Sequence, residues 1–486
     1  MMNGVQDMGN GVLRIVLPFR VTEAIERFVC VYALLGSKVY LIDAGVAGSG
    51  AKIADALRAV GRDISEVAAI LLTHTHPDHI GGVAEIREMS PRCRVYVAEA
   101  ERDWLEDVDL QHAQRPIPNF YRLLPVGAAA DVLLHDGDLL DLEEGVTIDV
   151  MGSGGHSPGS LSFRWVERRA LFTGDALPIV RDAPIFDNLA ESLHTVDCIA
   201  AAEGVEHIYP AWDDERSGAE VAAYCAAAKG RLMAIERAVA CSNLETFFSD
   251  TQERFSKICE AGDMGNYVGH PLFLRSLSAA VNEHEAGRLQ IAREGLERRG
   301  FSVHLCRNAD EVRQAAAGIL CDAGRPVVGF GNSQTLRSLG IDRLAEQYAE
   351  RVYWHDPRHF SPEEDRRALH APLYFTSANA LSLQGHIVNI DGTGNRTAAT
   401  CFGPEHVIYV VGRNKLADGL ECALARAKWA AVRLASHYGR KTPCAQTGVC
   451  ADCLVPECVC GVTTIHRKSL IGNRITVILI NEDLGI

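Results

Sequence analysis

The stretch His74-Thr75-His76-Pro77-Asp78-His79 packs four metal-grade side chains into six residues. Imidazole nitrogen combined with carboxylate oxygen suits zinc, iron or manganese better than calcium or magnesium. An apolar, β-prone run at residues 67–72 precedes it, and Ile80-Gly81-Gly82 with a helical pattern at 83–89 follows. A strand is therefore expected to deliver the ligands and a helix to start behind them. His74 and His76 are two apart, so in extended chain they face the same side, while Asp78 and His79 fall on the turn. Further donors appear downstream in order: His156 in the turn Gly155-His156-Ser157-Pro158-Gly159-Ser160, then Asp175 after Leu171-Phe172-Thr173-Gly174.

That series, with an early strand pair ending in Leu41-Ile42-Asp43-Ala44-Gly45, resembles the metallo-β-lactamase-fold superfamily over roughly the first 280 residues. The resemblance implies an αββα sandwich. In it one ion takes His74, His76 and His156, a second takes Asp78 and His79, and Asp175 bridges both. It also implies hydrolysis, with Asp78 and Asp175 as the catalytic carboxylates that orient the nucleophile and accept its proton. The family's last ligand is a histidine in a Pro-Gly-His turn; here Tyr209-Pro210-Ala211-Trp212-Asp213-Asp214 puts Trp212 in its place. Indole offers only an N–H donor. The second site thus loses a ligand unless Asp213, Asp214 or a substrate group replaces it, leaving one or two Zn2+ ions open, with iron or manganese as alternatives. Trp212 is expected to wall the substrate pocket.

At 486 residues the chain is too long for one core, so several domains are expected. A formal charge of -15 opposes attraction to phosphate backbones, so no nucleic-acid partner is expected. The amino terminus lacks a secretory pattern and no apolar run reaches spanning length, so no membrane partner is expected either. Fifteen cysteines, an odd number, point to reduced thiols and metal ligation in the cytoplasm. A small-molecule substrate is expected, and a homo-oligomer stays open.

The expected layout is a metallo-β-lactamase-fold domain at 1–215, a helical cap or linker at 216–281, and a second α/β domain at 282–486. Strands are expected at 31–35, 39–42, 69–72, 94–97, 146–150 and 170–172, with a helix at 52–60. Helical patterns cover 219–241, 244–259 and 272–283, and the second domain opens with another at 289–299, then a strand at 301–305. Residues 326–336 read as strand, Gly-rich loop and helix, a form able to aim backbone N–H groups at an anion. With Asp391-Gly392-Thr393-Gly394-Asn395-Arg396 and the closing Glu482-Asp483-Leu484-Gly485, this half resembles the LUD domain, named for lactate utilisation. The resemblance implies a fold like the sugar-phosphate isomerases and coenzyme A transferases, and a link to 2-hydroxy-acid metabolism. Gly331, Ser333, Thr335, Asn395 and Arg396 are candidates to hold a carboxylate or phosphate. Glu482 is a candidate nucleophile or base, or else a surface residue ending the strand at 476–480.

Cys444, Cys450, Cys453, Cys458 and Cys460 lie within seventeen residues. Some LUD domains carry cysteines matching Cys444, Cys450, Cys453 and Cys460, where zinc or an iron–sulfur cluster would fit four thiolates. The leading expectation for the whole is metal-dependent hydrolysis of a small ester, thioester or lactone, of the glyoxalase II type. A mononuclear iron oxygenase acting on a thiol or persulfide is one alternative, and a non-catalytic metabolite sensor the other.

Overall fold

The structure is a computed structural model describing residues 4–22, 25–179, 182–242, 248, 250–355, 361–472 and 474–486. The chain divides into two compact units, Met1–Ala238 with Phe255–Ala280, and Val239–Arg254 with Val281–Ile486.

The first unit is built on two sheets. Seven strands form one: Val5–Asp7, Val12–Arg20, Glu26–Leu35 and Val39–Ile42 run antiparallel, and Val67–Leu71, Arg94–Ala98 and Val132–Leu134 add in parallel. The second runs from Leu139–Glu143 through Val146–Gly152, Leu161–Trp165, Ala170–Gly174 and His207–Pro210 to Arg216–Ser217. Strand alternation sends neighbouring residues into different cores. Leu13, Val31, Leu41 and Ile70 pack with Ile53, Leu57 and Ile86 of flanking helices. Tyr32, Tyr40 and Leu71 instead meet Phe163, Phe172 and Tyr209 of the second sheet. With both faces covered, these strands read as near-continuous apolar runs rather than alternating ones. The expected mixed α/β sandwich is formed, and Val12–Arg20, Leu161–Trp165 and His207–Pro210 join the strands foreseen.

Two helical expectations need correction. The separate patterns at 272–283 and 289–299 are one helix, Pro271–Arg298. The charged stretch that reads as a break holds Glu285, 2 % exposed and paired with Arg254 at 2.7 Å, while Leu277, Val281, Leu289 and Leu296 keep the apolar spacing. The pattern at 244–259 is helical only over Thr251–Ala261; residues 244–247 and 249 lie outside the described set.

The second unit carries a six-stranded sheet in the order Ser302–Cys306, Ile475–Ile480, His406–Gly412, Leu373–Thr376, Val327–Phe330, Arg351–Trp354, with every pairing parallel. Its two faces also feed separate cores, Val477 and Leu479 on one, Ile478 and Ile480 on the other. A four-stranded sheet is built from Ala380–Ser382, Ile387–Asp391, Leu416–Ala417 and Val462–His466. Among the described residues no helix is long and apolar enough to cross a membrane.

Candidate metal centre

The buried strand Val67–Leu71 ends at the ligand loop, and Pro77–Ile80 opens a short helix with His76 as its N-cap. A Cβ on Gly82 would lie 2.3 Å from the Ala44 carbonyl oxygen, so glycine is what lets this turn close on the Asp43 loop. The structure gathers His74, His76 and His156 into one set of donors, and His74, His79 and Asp175 into another, each within 4.8 Å. Asp78 stands outside both sets, its Oδ2 3.6 Å from His79 Nε2. His74 lies with His79 and Asp175 as well as with His76 and His156, its ring tilted against that of His79 with centroids 4.0 Å apart.

Hydrogen bonds assign the imidazole protons. His79 Nδ1 meets Asp43 Oδ2 at 2.8 Å and His156 Nδ1 meets the Ile185 carbonyl at 2.8 Å; both partners can only accept. The Thr73 hydroxyl donates to Asp43 at 2.8 Å and therefore accepts from His74 Nδ1 at 3.1 Å. In each ring Nδ1 carries a proton and Nε2 points into the centre; against the effect of burial, Asp175, Asp43 and Asp78 raise His79 well above the usual imidazole range. His74 Nε2, His76 Nε2, His79 Nε2 and Asp175 Oδ1 are buried with no hydrogen-bond partner among the described residues, and His156 Nε2 faces His76 Nδ1 at 3.0 Å. Buried polar atoms without partners are costly, and nitrogen lone pairs converging with a carboxylate fit a borderline-soft divalent cation. Burial pushes His74 and His76 well below the usual imidazole range, keeping them neutral donors. Burial likewise raises Asp78, whereas for Asp175 the His79 and His156 rings outweigh burial and hold the carboxyl low.

Two carboxylates that sequence reading did not single out brace the ligands. Asp43, 1 % exposed and at φ 64°, accepts from Thr73 N, Thr73 Oγ1 and His79. Glu101, 2 % exposed, accepts from Thr75 N at 2.6 Å, Thr75 Oγ1 at 2.7 Å, Gly159 N at 3.1 Å and the Ser157 hydroxyl, joining the His74–His76 loop to the His156 turn. Asp43 lay in plain view at the end of an apolar strand; nothing local marks Glu101.

Trp212 does not merely wall the pocket. Its indole N–H donates to Asp175 Oδ2 at 3.1 Å, while its ring packs near Phe19 and Phe28. Asp213 is paired with Arg216 at 3.1 Å and Asp214 with Arg14 at 3.0 Å, so both carboxylates are engaged away from the missing ligand's place. A cavity of about 290 Å³ opens on this centre, with His76, Asp78, His156, Asp175 and Trp212 at one end and Ile117, Leu177 and Leu272 among its apolar walls. Arg115 also lines it, 5 % exposed; among the described residues its side chain finds no hydrogen-bond or ion-pair partner, and its Nε is buried.

In the second unit the sequence candidates separate. Ser333 Oγ caps the helix Gln334–Ser338 by accepting from Leu336 N. Asn395 holds Arg396 N and Asp365, and Arg396 donates to Asn379 Oδ1 at 3.0 Å and the Ile390 carbonyl at 2.7 Å, its stem against Gly331. Thr335 Oγ1 accepts from Lys415 Nζ at 2.8 Å, a buried lysine that sequence reading passed over. The half-buried Glu482 side chain makes no hydrogen bond among the described residues and is not part of the unit's main cavity, which Asp483 joins. Cys460 neighbours Cys458, Cys450 and Cys453, and burial followed by those thiols raises it to about 11. Cys444 instead meets Thr442 Oγ1 at 3.2 Å, and among the described residues the sulfurs form no set within 4.8 Å.

Known proteins match in the same two parts. Residues 27–203 match the Metallo-beta-lactamase superfamily and residues 289–480 the LUD domain. The hydroxyacylglutathione hydrolase of Cereibacter sphaeroides is 32 % identical over 127 residues, 26 % of this chain and 40 % of that protein. The probable metallo-hydrolase YqgX of Bacillus subtilis is 34 % identical over 110 residues, 22 % of this chain and 49 % of its own length. A crystal structure of a metallo-beta-lactamase family protein from Thermus thermophilus aligns over 58 % of this chain and 95 % of that one, with a TM-score of 0.46 and 19 % identity. The chain spans about half the length of the curated relatives it matches. Residues 27–203 thus carry a match to the metallo-β-lactamase superfamily and residues 289–480 a match to the LUD domain.

Proposed function

We propose that the first unit is a metal-dependent hydrolase of a small ester, thioester or lactone. The observation that carries this reading is the convergence of the buried Nε2 atoms of His74, His76 and His79 beside Asp175, on a cavity large enough for a small acyl substrate. His74, His76 and His156 would hold the principal ion, zinc by donor type, and His79 with Asp175 and Asp78 would hold a weaker second one. A divalent ion there supplies a Lewis acid for the carbonyl and brings the pKa of water to about 7. Asp78, half-buried and lining the cavity, is placed to accept the nucleophile's proton. Trp212 keeps Asp175 oriented and closes that side to water. The apolar walls receive the acyl chain, while the partnerless Arg115 guanidinium supplies a forked, charged donor for an acid group on the substrate.

Relatives named as hydroxyacylglutathione hydrolases support thioester cleavage, which would release a 2-hydroxy acid and give the LUD half a related metabolite. The test is turnover by zinc-, iron- and manganese-loaded protein on a panel of 2-hydroxyacyl thioesters, neutral thioesters and lactones. Hydrolysis should favour acid-bearing substrates, and Arg115→Gln should raise KM for those alone. Oxygen consumption on thiols by the iron form only, or metabolite binding with no turnover by any form, would replace the hydrolase reading.

A further inference from the structure

Three cations in the second unit lie together without a paired carboxylate. Lys415 and Arg426 are 3 % and 1 % exposed, and Arg396 is half-buried. Lys415 Nζ donates to Thr335 Oγ1 and Ser377 Oγ, both at 2.8 Å. Arg426 uses the carbonyls of Asn414, at 2.9 Å, and Asn379. Arg396 holds the side chain of the same Asn379. None of the three forms an ion pair among the described residues, although the protein as a whole carries fifteen more acidic than basic residues. Burying a charge without a counter-charge is among the most unfavourable arrangements in a protein.

The place in the fold is informative. Strands Val327–Phe330, Leu373–Thr376 and His406–Gly412 are parallel neighbours, and Thr335, Ser377 and Lys415 follow their carboxyl ends. Ligands of open parallel sheets bind in the crevice outside those ends. A cavity of about 230 Å³ lies beyond the ends of His406–Gly412 and Ile475–Ile480, with Arg426 in its lining beside Asn414, Leu416 and Gly485, and Gly485 packs against Thr335 and the Lys415 amine. Five arginines line it against three acidic side chains. Two of those arginines, Arg426 and Arg433, lie over the Trp429 ring at 5.6 and 5.5 Å and form no ion pair among the described residues, although the Asp483 charge acts on Arg426 from a distance. Behind this wall, burial together with Arg426 and Arg396 holds the Lys415 amine well below its usual range, so it is the arrival of a negative charge that would let it keep its proton.

We propose that this crevice is a binding site for a small oxyanion, a carboxylate or phosphate, with Arg426 touching it, Lys415 supplying the counter-charge from behind and Arg396 fixing Asn379 between them. The proposal stands independently of hydrolysis by the first unit. Lys415→Met separates it from a structural role, because Thr335 retains its bond to the Leu484 carbonyl and Ser377 its bond to the Val410 carbonyl. The full chain is melted in sodium chloride, sodium phosphate and sodium lactate at equal ionic strength. The native protein should gain thermal stability in phosphate, lactate or both, relative to chloride. A gain in phosphate alone assigns a phosphate ligand, and a gain in lactate alone a carboxylate. Lys415→Met should melt no lower than native in chloride and bind the effective anion at least about tenfold more weakly, the loss expected from removing a positive charge within about 10 Å of the anion at an effective dielectric constant of about 20. No gain over chloride in either anion, an undiminished gain in the variant, or a variant that melts lower in chloride while keeping the gain would overturn the proposal.

Discussion

Replacing Asp43 by asparagine tests the proton assignments of the centre without disturbing any residue placed to hold an ion. Asp43 Oδ1 accepts from Thr73 N, a backbone donor that cannot become an acceptor, so the asparagine oxygen must stay there. Its amide nitrogen then takes the place of Oδ2, facing Thr73 Oγ1 and His79 Nδ1. His79 must accept at Nδ1, moving its own proton to Nε2. Thr73 Oγ1 now accepts from the amide and donates to His74 Nδ1, so the His74 proton also moves to Nε2. Both rings lose the lone pair they aim inward. An outer partner of one metal-bound histidine typically contributes about 10–100-fold in affinity; of the two rings only His74 belongs to the principal set, so the principal ion should bind about 10–100-fold more weakly, or about 1.4–2.7 kcal/mol, and the second ion, on the side of His79, should weaken as well. Folding is affected to a similar extent. Three bonds to a carboxylate become neutral ones, each weaker by about 1 kcal/mol, so the chelator-treated variant should lose about 3 kcal/mol. Asparagine also tolerates the left-handed backbone at this position. Competition against a chromogenic chelator gives the affinity, and urea unfolding gives the stability. Native metal affinity in Asp43→Asn would refute the tautomer assignment.

His156→Ala should lose the principal ion while keeping its circular dichroism spectrum, checked by elemental analysis; full occupancy would remove His156 from the ligand set. The native protein should bind one ion tightly and any second ion weakly, and Trp212→His should move the stoichiometry towards two without necessarily raising turnover, both read by metal titration. Burial, with Arg474 nearby, pushes His466 down to about 4. Since the folded state binds this proton less readily than the unfolded chain, its contribution is full above about pH 6.5 and is lost as the pH falls towards 4, by up to about 3 kcal/mol. Urea unfolding across that window should show the loss, and His466→Gln should remove it. Cys450→Ser with Cys453→Ser should abolish any iron or zinc that persists in His156→Ala protein, measured by absorbance and metal assay; neither metal before mutation would make these ordinary thiols.

Much of the centre was legible because its ligands cluster in sequence and their types are unusual together. The structure brings His74, His76, His79, His156 and Asp175 together, a grouping that the superfamily resemblance implied, and the strands ahead of them read clearly because both faces are buried. The residues that brace them were not legible. Asp43 and Glu101 are ordinary acids locally, and their role comes from donors 26 to 58 residues away in the chain. Arg115 and Lys415 differ from surface cations only in being buried without a carboxylate, a property of the folded surroundings. The gap expected between the helical patterns at 272–283 and 289–299 closed for the same reason: Glu285 reads as a solvated charge until Arg254 is placed against it.

Trp212 shows how far a departure from a motif can be interpreted. Sequence alone establishes that indole cannot replace an imidazole lone pair, which removes a ligand but leaves its replacement open. Geometry closes two of the options, since Asp213 and Asp214 are paired with Arg216 and Arg14. It also adds a function the missing histidine could not have performed while bound to an ion: the indole N–H is directed at Asp175 Oδ2, leaving Oδ1 facing His79 at 3.3 Å. One of the two oxygens that Asp175 could offer a cation is thus shared with a neutral donor. The departure would therefore weaken the second site twice, through a lost ligand and a shared carboxylate oxygen, while Trp212 makes no hydrogen bond to His74, His76 or His156 among the described residues. That asymmetry favours one tightly held ion beside an apolar wall, and it places the chemistry at the histidine end of the cavity.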